Sequence, residues 1–191
     1  VTDQGKPREI TDPATLRALR HPLRRQLLRL LHRDGPATAT DLAKALGENT
    51  GATSYHLRQL AEHGLVAEDP ERGRGRERWW QAVPHDLRFP PRSRMDPDLR
   101  AAFDALERVS VDEDEAALAR FERQRDQLGP WGDALLFSRG EVKLTLEQAK
   151  QFFDDYLALL TRYLEISEHA PDGEDEARRM HVRWTAFPDV D

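Results

Sequence analysis

Between Thr40 and Gly64 the sequence reads TDLAKALGENTGATSYHLRQLAEHG, two short helical patterns separated by Gly47 and a tight polar connection. Neither pattern can stand alone. The first places Leu42, Ala43 and Leu46 on a narrow apolar edge, with Thr40 as its expected N-cap and Gly47 as its stop. That is far short of the roughly 12 residues at which an isolated helix becomes even marginally stable in water. The second is expected from about Thr50 to His63, with Leu57, Leu60 and Ala61 facing inward and Gly64 ending the run. Two such helices must bury their apolar edges together, against neighbours that the flanking sequence has to provide.

On the N-terminal side, residues 1–10 are polar, hold Gly and Pro and lack periodicity, so a mobile leader is expected. Asp12 and Pro13 then form an N-cap and first-turn pair, and a short helix is expected to about Leu19. His21 and Pro22 restart it. Leu23, Leu27, Leu30 and Leu31 follow an amphipathic stripe, and Arg24, Arg25, Arg29 and Arg33 occupy the opposite face until Asp34-Gly35-Pro36. On the C-terminal side, Leu65-Val66-Ala67 and Arg78 to Val83 read as two strands, with Asp69-Pro70, Gly73 and Gly75 in the turn between them. Two short helices across a glycine-containing turn make a helix-turn-helix, and the hairpin after them is its wing. The fold class expected is mainly α with small β.

The stretch from about Asp12 to Val83, with HPLRRQLLRLL, then SYHLRQLAEHGLV, then EDPERGRGRERWW in that order, resembles the winged helix-turn-helix domain of ArsR-type bacterial transcriptional regulators. It departs from the metal-sensing members, which carry a cysteine motif in the first helix of the helix-turn-helix, where this chain reads ATATDLAKAL. The resemblance implies DNA binding, dimerisation and repression, without arsenic or zinc sensing.

Residues 84–97 contain four prolines and three arginines and are expected to be an extended connection. Asp96-Pro97 repeats the helix-start pair, and Leu99, Phe103, Leu106 and Val109 begin a stripe that Leu118, Phe121 and Leu128 continue less regularly. Ser110 with Glu113 forms a capping-box pattern, so one long helix or two consecutive ones are expected before Gly129-Pro130. Strand-like ALLF and EVKL follow, then a helix capped by Thr145 and Gln148 whose wide apolar face includes Phe152, Phe153, Tyr156, Leu157, Leu160, Tyr163 and Leu164. An acidic loop leads to MHVRWTAF, which alternates as a strand. The organisation expected is a leader over 1–10, the winged domain over 11–84, a linker over 85–97 and a helical or α+β dimerisation or effector region over 98–191.

Charge separates the same two halves. Residues 1–95 hold 17 Lys and Arg against 12 Asp and Glu, whereas residues 96–191 hold 12 against 23. A net charge of +5 followed by one of −11 suits a polyanion-binding module joined to a part that faces away from the polyanion. In the second helix of the motif, the outward and N-terminal positions are Thr50, Gly51, Thr53, Ser54, Tyr55 and Arg58, with His56 beside them. Small residues let a helix N-terminus approach the groove, where its free amides favour a phosphate, while Tyr55 and Arg58 have reach. Arg58 can bond a guanine or a phosphate. In the wing, Arg72, Arg74 and Arg76 alternate with glycines, which suits a phosphate backbone or a minor groove. Trp79 and Trp80, as strand neighbours, point to opposite faces.

The function expected is a dimeric, sequence-specific regulator of transcription reading the major groove with helix 50–63 and the backbone or minor groove with wing 70–78; the alternative is a winged-helix protein-interaction adaptor without operator binding. Dimer contacts are expected through residues 97–128. The partners are double-stranded DNA and a second copy, with a small-molecule effector left open and no membrane. There is no cysteine, no histidine pair at metal-sharing helical spacing and no phosphate-binding glycine loop, so no enzyme, no cofactor and no metal are expected. With no apolar run of membrane-spanning length, a cytoplasmic location is expected.

Overall fold

Asp12 opens the first helix by accepting the amides of Ala14 and Thr15 at 2.9 and 2.8 Å. The resulting α1 runs Pro13–Arg20, and His21 breaks it in an extended conformation before Pro22 begins α2, Pro22–Asp34. The computed structural model describes residues 8–70, 72, 78–83, 87–167, 169–170 and 177–190. Gly35 ends α2 at φ 82°, a value open to glycine and strained for other residues. The helix-turn-helix follows as α3, Ala39–Leu46, and α4, Thr50–Glu62, joined through Gly47 in the left-handed region. The cap of α3 is Thr38, not Thr40. Its hydroxyl accepts the Asp41 amide at 3.2 Å while the Asp41 carboxylate accepts the Thr38 amide at 3.4 Å, the two halves of a capping box.

A small antiparallel sheet closes the motif. Strand β2, Ala37–Thr38, pairs with β4, Trp79–Ala82, which also pairs with β3, Val66–Glu68. The register sets Ala37 opposite Trp80 and Thr38 opposite Trp79. As the alternation requires, Trp80 is buried and Trp79 half-buried. Trp80 joins Leu23, Leu27, Leu31, Leu42, Leu57, Leu60, Leu65 and Val66 in one core, which supplies the partners that α3 and α4 lack on their own.

The structure begins earlier than the sequence suggests. Strand β1, Arg8–Glu9, lies parallel to β5, Leu87–Arg88, with Arg8 opposite Leu87. Ile10 is buried against Leu16, Met95, Leu99, Ala102 and Leu106 in a second cluster. Residues 8–10 are therefore part of the fold, and the connection near residue 87 is a strand. The last three residues of that cluster come from α5, Pro97–Gln124.

The chain divides into two compact units, Val1–Glu113 and Asp114–Asp191. The division falls within α5, so residues 97–113 go with the first unit and not with the region expected to start at 98. In the second unit, α5 gives way to short 3-10 turns over 125–133, and α6, Leu146–Ser167, has no buried residue. Thr145 and Gln148 cap α6 as expected, the Gln148 side chain accepting the Thr145 amide at 2.9 Å and the Thr145 hydroxyl accepting the Gln148 amide at 3.2 Å. ALLF, EVKL and MHVRWTAF form no strands. A strand needs a partner ladder, and among the described residues none of these segments finds one.

Candidate nucleic-acid interface

The core stripe of α4 is Thr53, Leu57 and Leu60, all fully buried. This spacing of i, i+4, i+7 forces Gly51, Ser54, Tyr55 and Arg58 onto the opposite stripe. Gly51 and Arg58 are exposed, Ser54 is half-buried, and Tyr55 is 53% exposed. Thr50 is exposed at the first position of the helix. Thr53 thus belongs to the core and cannot touch a groove, a correction to its placement among the outward residues. The spacing carried that signal, since Thr53 stands one turn before Leu57.

The N-terminus of α4 is already capped. Asn49 Oδ1 accepts the amides of Gly51 and Ala52 at 2.7 and 3.3 Å. A Cβ on Gly51 would come within 3.0 Å of that oxygen, so the small residue serves the cap as well as a close approach. Free amides at this end, expected from the sequence, are thereby reduced by two, and an approaching phosphate would meet the Asn49 side chain.

His56 is half-buried and its ring centroid lies 4.3 Å from that of His21, the residue between α1 and α2. Tyr55 meets His56 edge-on at 5.1 Å. The Nδ1 atoms of both histidines are buried without a hydrogen-bond partner among the described residues. Burial, then the His21 and Arg24 charges, holds the His56 imidazole below its ordinary protonation range, against an opposing pull from Glu48. Burial and Arg24 lower His21 in the same way. His56 thus packs on His21 between α1 and α2, with Tyr55 against it.

At the other end of α4, the Thr15 hydroxyl donates to Asp12 Oδ2 at 2.5 Å and so accepts from His63 Nδ1 at 3.0 Å. Arg8 Nη1 donates to the Gly64 carbonyl at 3.3 Å. These contacts tie the helix end to α1 and β1.

Much of the basic charge is committed elsewhere. Arg24 donates to the carbonyls of Ala18 and Arg17, closing the end of α1. Arg25 binds Glu113 through Nε and Nη2 at 3.0 and 2.8 Å, and Arg29 joins the same carboxylate at 2.7 Å. Burial alone would raise Glu113, but the Arg25 hydrogen bond and the charges of Arg25 and Arg29 hold it below the usual carboxylate range. Arg33 binds Asp34. In the wing, Arg72 is exposed, pairs with Asp69 at 3.5 Å and lies over the Trp79 ring at 5.9 Å, while Arg78 pairs with Glu68 at 2.9 Å. Arg74 and Arg76 lie outside the described residues. Among the described residues no group of three or more His, Asp or Glu is arranged to hold a metal, and no helix is long and apolar enough to cross a membrane.

Residues 19–69, which hold α2, α3, α4 and β3, match a family described as a helix-turn-helix domain. The chain is 46% identical over 56 residues to the HTH-type transcriptional regulator NmtR of Mycobacterium tuberculosis, an alignment that takes in 29% of this chain and 46% of that protein. The match thus spans about half the length of the curated relative. Among solved structures, a possible transcriptional regulator for arsenical resistance shares 32% identity, with 52% of this chain and 95% of that one covered, at a TM-score of 0.33. The antimony-specific transcriptional repressor AntR shares 25% identity, with 55% and 78% covered, at a TM-score of 0.36.

Proposed function

We propose that this chain, whose N-terminal half carries a winged helix-turn-helix domain of the ArsR type, is a dimeric, sequence-specific DNA-binding regulator that represses transcription in the cytoplasm. One observation carries the reading: the core fixes α4 by one stripe and leaves Gly51, Ser54, Tyr55 and Arg58 together on the other. A helix entering a major groove needs small residues near its start and longer polar ones a turn further on. That stripe supplies both. Tyr55 and Arg58 are assigned the base and phosphate contacts, and Arg72, Arg74 and Arg76 the contacts of the wing. The dimer follows from economy, because one winged domain covers only a few base pairs and two copies read half-sites about one helical turn apart. Residues 11–84 are the reading head in this proposal, and the chain beyond them serves association or effector response.

The test is titration of the purified protein against a labelled duplex from its own upstream region, with a random duplex as control, at two salt concentrations. A regulator binds the upstream duplex more tightly, and its affinity falls steeply with salt as phosphate contacts release counterions. Binding to neither duplex at low salt would overturn the proposal in favour of a protein-interaction adaptor.

A further inference from the structure

The second unit contains a cavity of about 540 Å³, a size within the roughly 300–1,000 Å³ in which proteins hold small organic ligands. One wall is apolar. Phe121 on α5 and Trp131 in the turn after it line the cavity together with Leu118 and Leu128. Phe121, Leu128 and Trp131 are half-buried and Leu118 is 45% exposed, so apolar surface faces the opening. The other wall is the segment 178–183, which reads RRMHVR and brings Arg178, His181 and Arg183 to the same space. This is the most basic stretch of a half whose net charge is −11.

Asp114 also lines the cavity, and its carboxylate binds both His181 Nε2 and Arg183 Nη1 at 2.8 Å. The site therefore holds an internal carboxylate on the donors that an external one would use. The segment carrying those donors is fixed in turn by Trp184, which meets Phe152, Phe153 and Tyr156 of α6 at 5.3–5.5 Å. None of these residues has a part in the DNA-reading stripe.

We propose that this cavity binds an amphipathic organic carboxylate, its apolar body between Phe121 and Trp131 and its carboxylate on Arg183 and His181 in competition with Asp114. The geometry favours an anion over a neutral compound because two cationic or proton-donating side chains converge on one carboxylate-sized spot. It favours an aromatic or branched body over a small ion because Leu118, Phe121, Leu128 and Trp131 give the cavity a largely apolar lining. The inference stands apart from the DNA-binding reading and is tested without DNA.

Calorimetric titration of the full chain with 2-naphthoate, indole-3-acetate and decanoate, beside the neutral 2-naphthylmethanol, decides it. We expect saturable binding of at least one carboxylate at one site per chain, weakened at least about tenfold in the neutral isostere and in Arg183→Gln. Leu118→Trp, which fills the cavity from a half-exposed position, abolishes binding, whereas Tyr163→Ala on α6 leaves it unchanged. Circular dichroism confirms that each variant is folded. Absence of saturable binding for all three carboxylates overturns the proposal. So does equal binding of the neutral compound, or binding unaffected by both Arg183→Gln and Leu118→Trp.

Discussion

The two units handle apolar side chains in opposite ways. In the first, the elements from α1 to β4 give most of their large apolar residues to two closed clusters, and Leu16, Leu27, Leu57 and Leu60 are fully buried. In the second, α6 carries a wide apolar face, yet Phe152, Phe153, Leu157, Leu159, Tyr163, Leu164 and Ile166 are 37–57% exposed. A soluble monomer rarely leaves so continuous an apolar stripe in water. The first unit closes its own core, and we take the α6 stripe as a surface for the self-association proposed above.

Substitutions break the comparison most sharply in the closed core. Leu57→Ala removes a fully buried side chain and should cost about 2–5 kcal/mol of stability by chemical denaturation. Leu159→Ala on α6, being about half exposed, should cost well under 1 kcal/mol in the monomer. Paired Leu159→Glu and Tyr163→Glu changes should instead weaken self-association about tenfold or more in sedimentation equilibrium, with the first unit still folded. Unchanged association would remove α6 from the dimer surface.

Smaller effects sharpen the account of how α4 is held. Thr38→Ala breaks the capping box of α3 and should cost about 1 kcal/mol. Protonation of His21 and His56 is disfavoured in the folded state, so the unfolded chain takes up protons first as the pH falls. Their contribution is intact above the ordinary histidine value of 6.5 and is lost progressively as the pH drops through the lower folded values. Glu113, also lowered, adds a second loss below its ordinary 4.5. Stability measured from neutral to acidic pH should therefore fall in two stages, and His21→Asn with His56→Asn should flatten only the first. A double-mutant cycle on Arg25 and Glu113 should show a coupling of about 0.2–1 kcal/mol, the range of partly exposed ion pairs.

What could be read from the sequence was local. Asp12-Pro13, Gly35, Gly47 and Gly64 each fix a helix end by their own backbone chemistry, and the leucine spacing of α2 and α4 needs no distant partner to be recognised. Thr53 and the Thr38 cap were within reach of the same reasoning, one through its spacing from Leu57 and the other through Asp41 three residues on. The remainder depends on distant pairing. Ala37–Thr38 is a strand only because Trp79 and Trp80 lie beside it. Arg8–Glu9 depends likewise on Leu87–Arg88. Spacing places Arg25 on the outer face of α2, but its partner Glu113, 88 residues further on, carries no local mark. The same limit applies from residue 134 on, where the sequence alternates and no pairing edge is found among the described residues.

Amide hydrogen exchange on the full chain, with and without the upstream duplex, tests the central claim most directly. The account predicts added protection over Thr50–Glu62 and the wing strands, and none from DNA contact over Leu146–Ser167. Protection confined to α6, or absent from α4 under conditions where the duplex is bound, would contradict it.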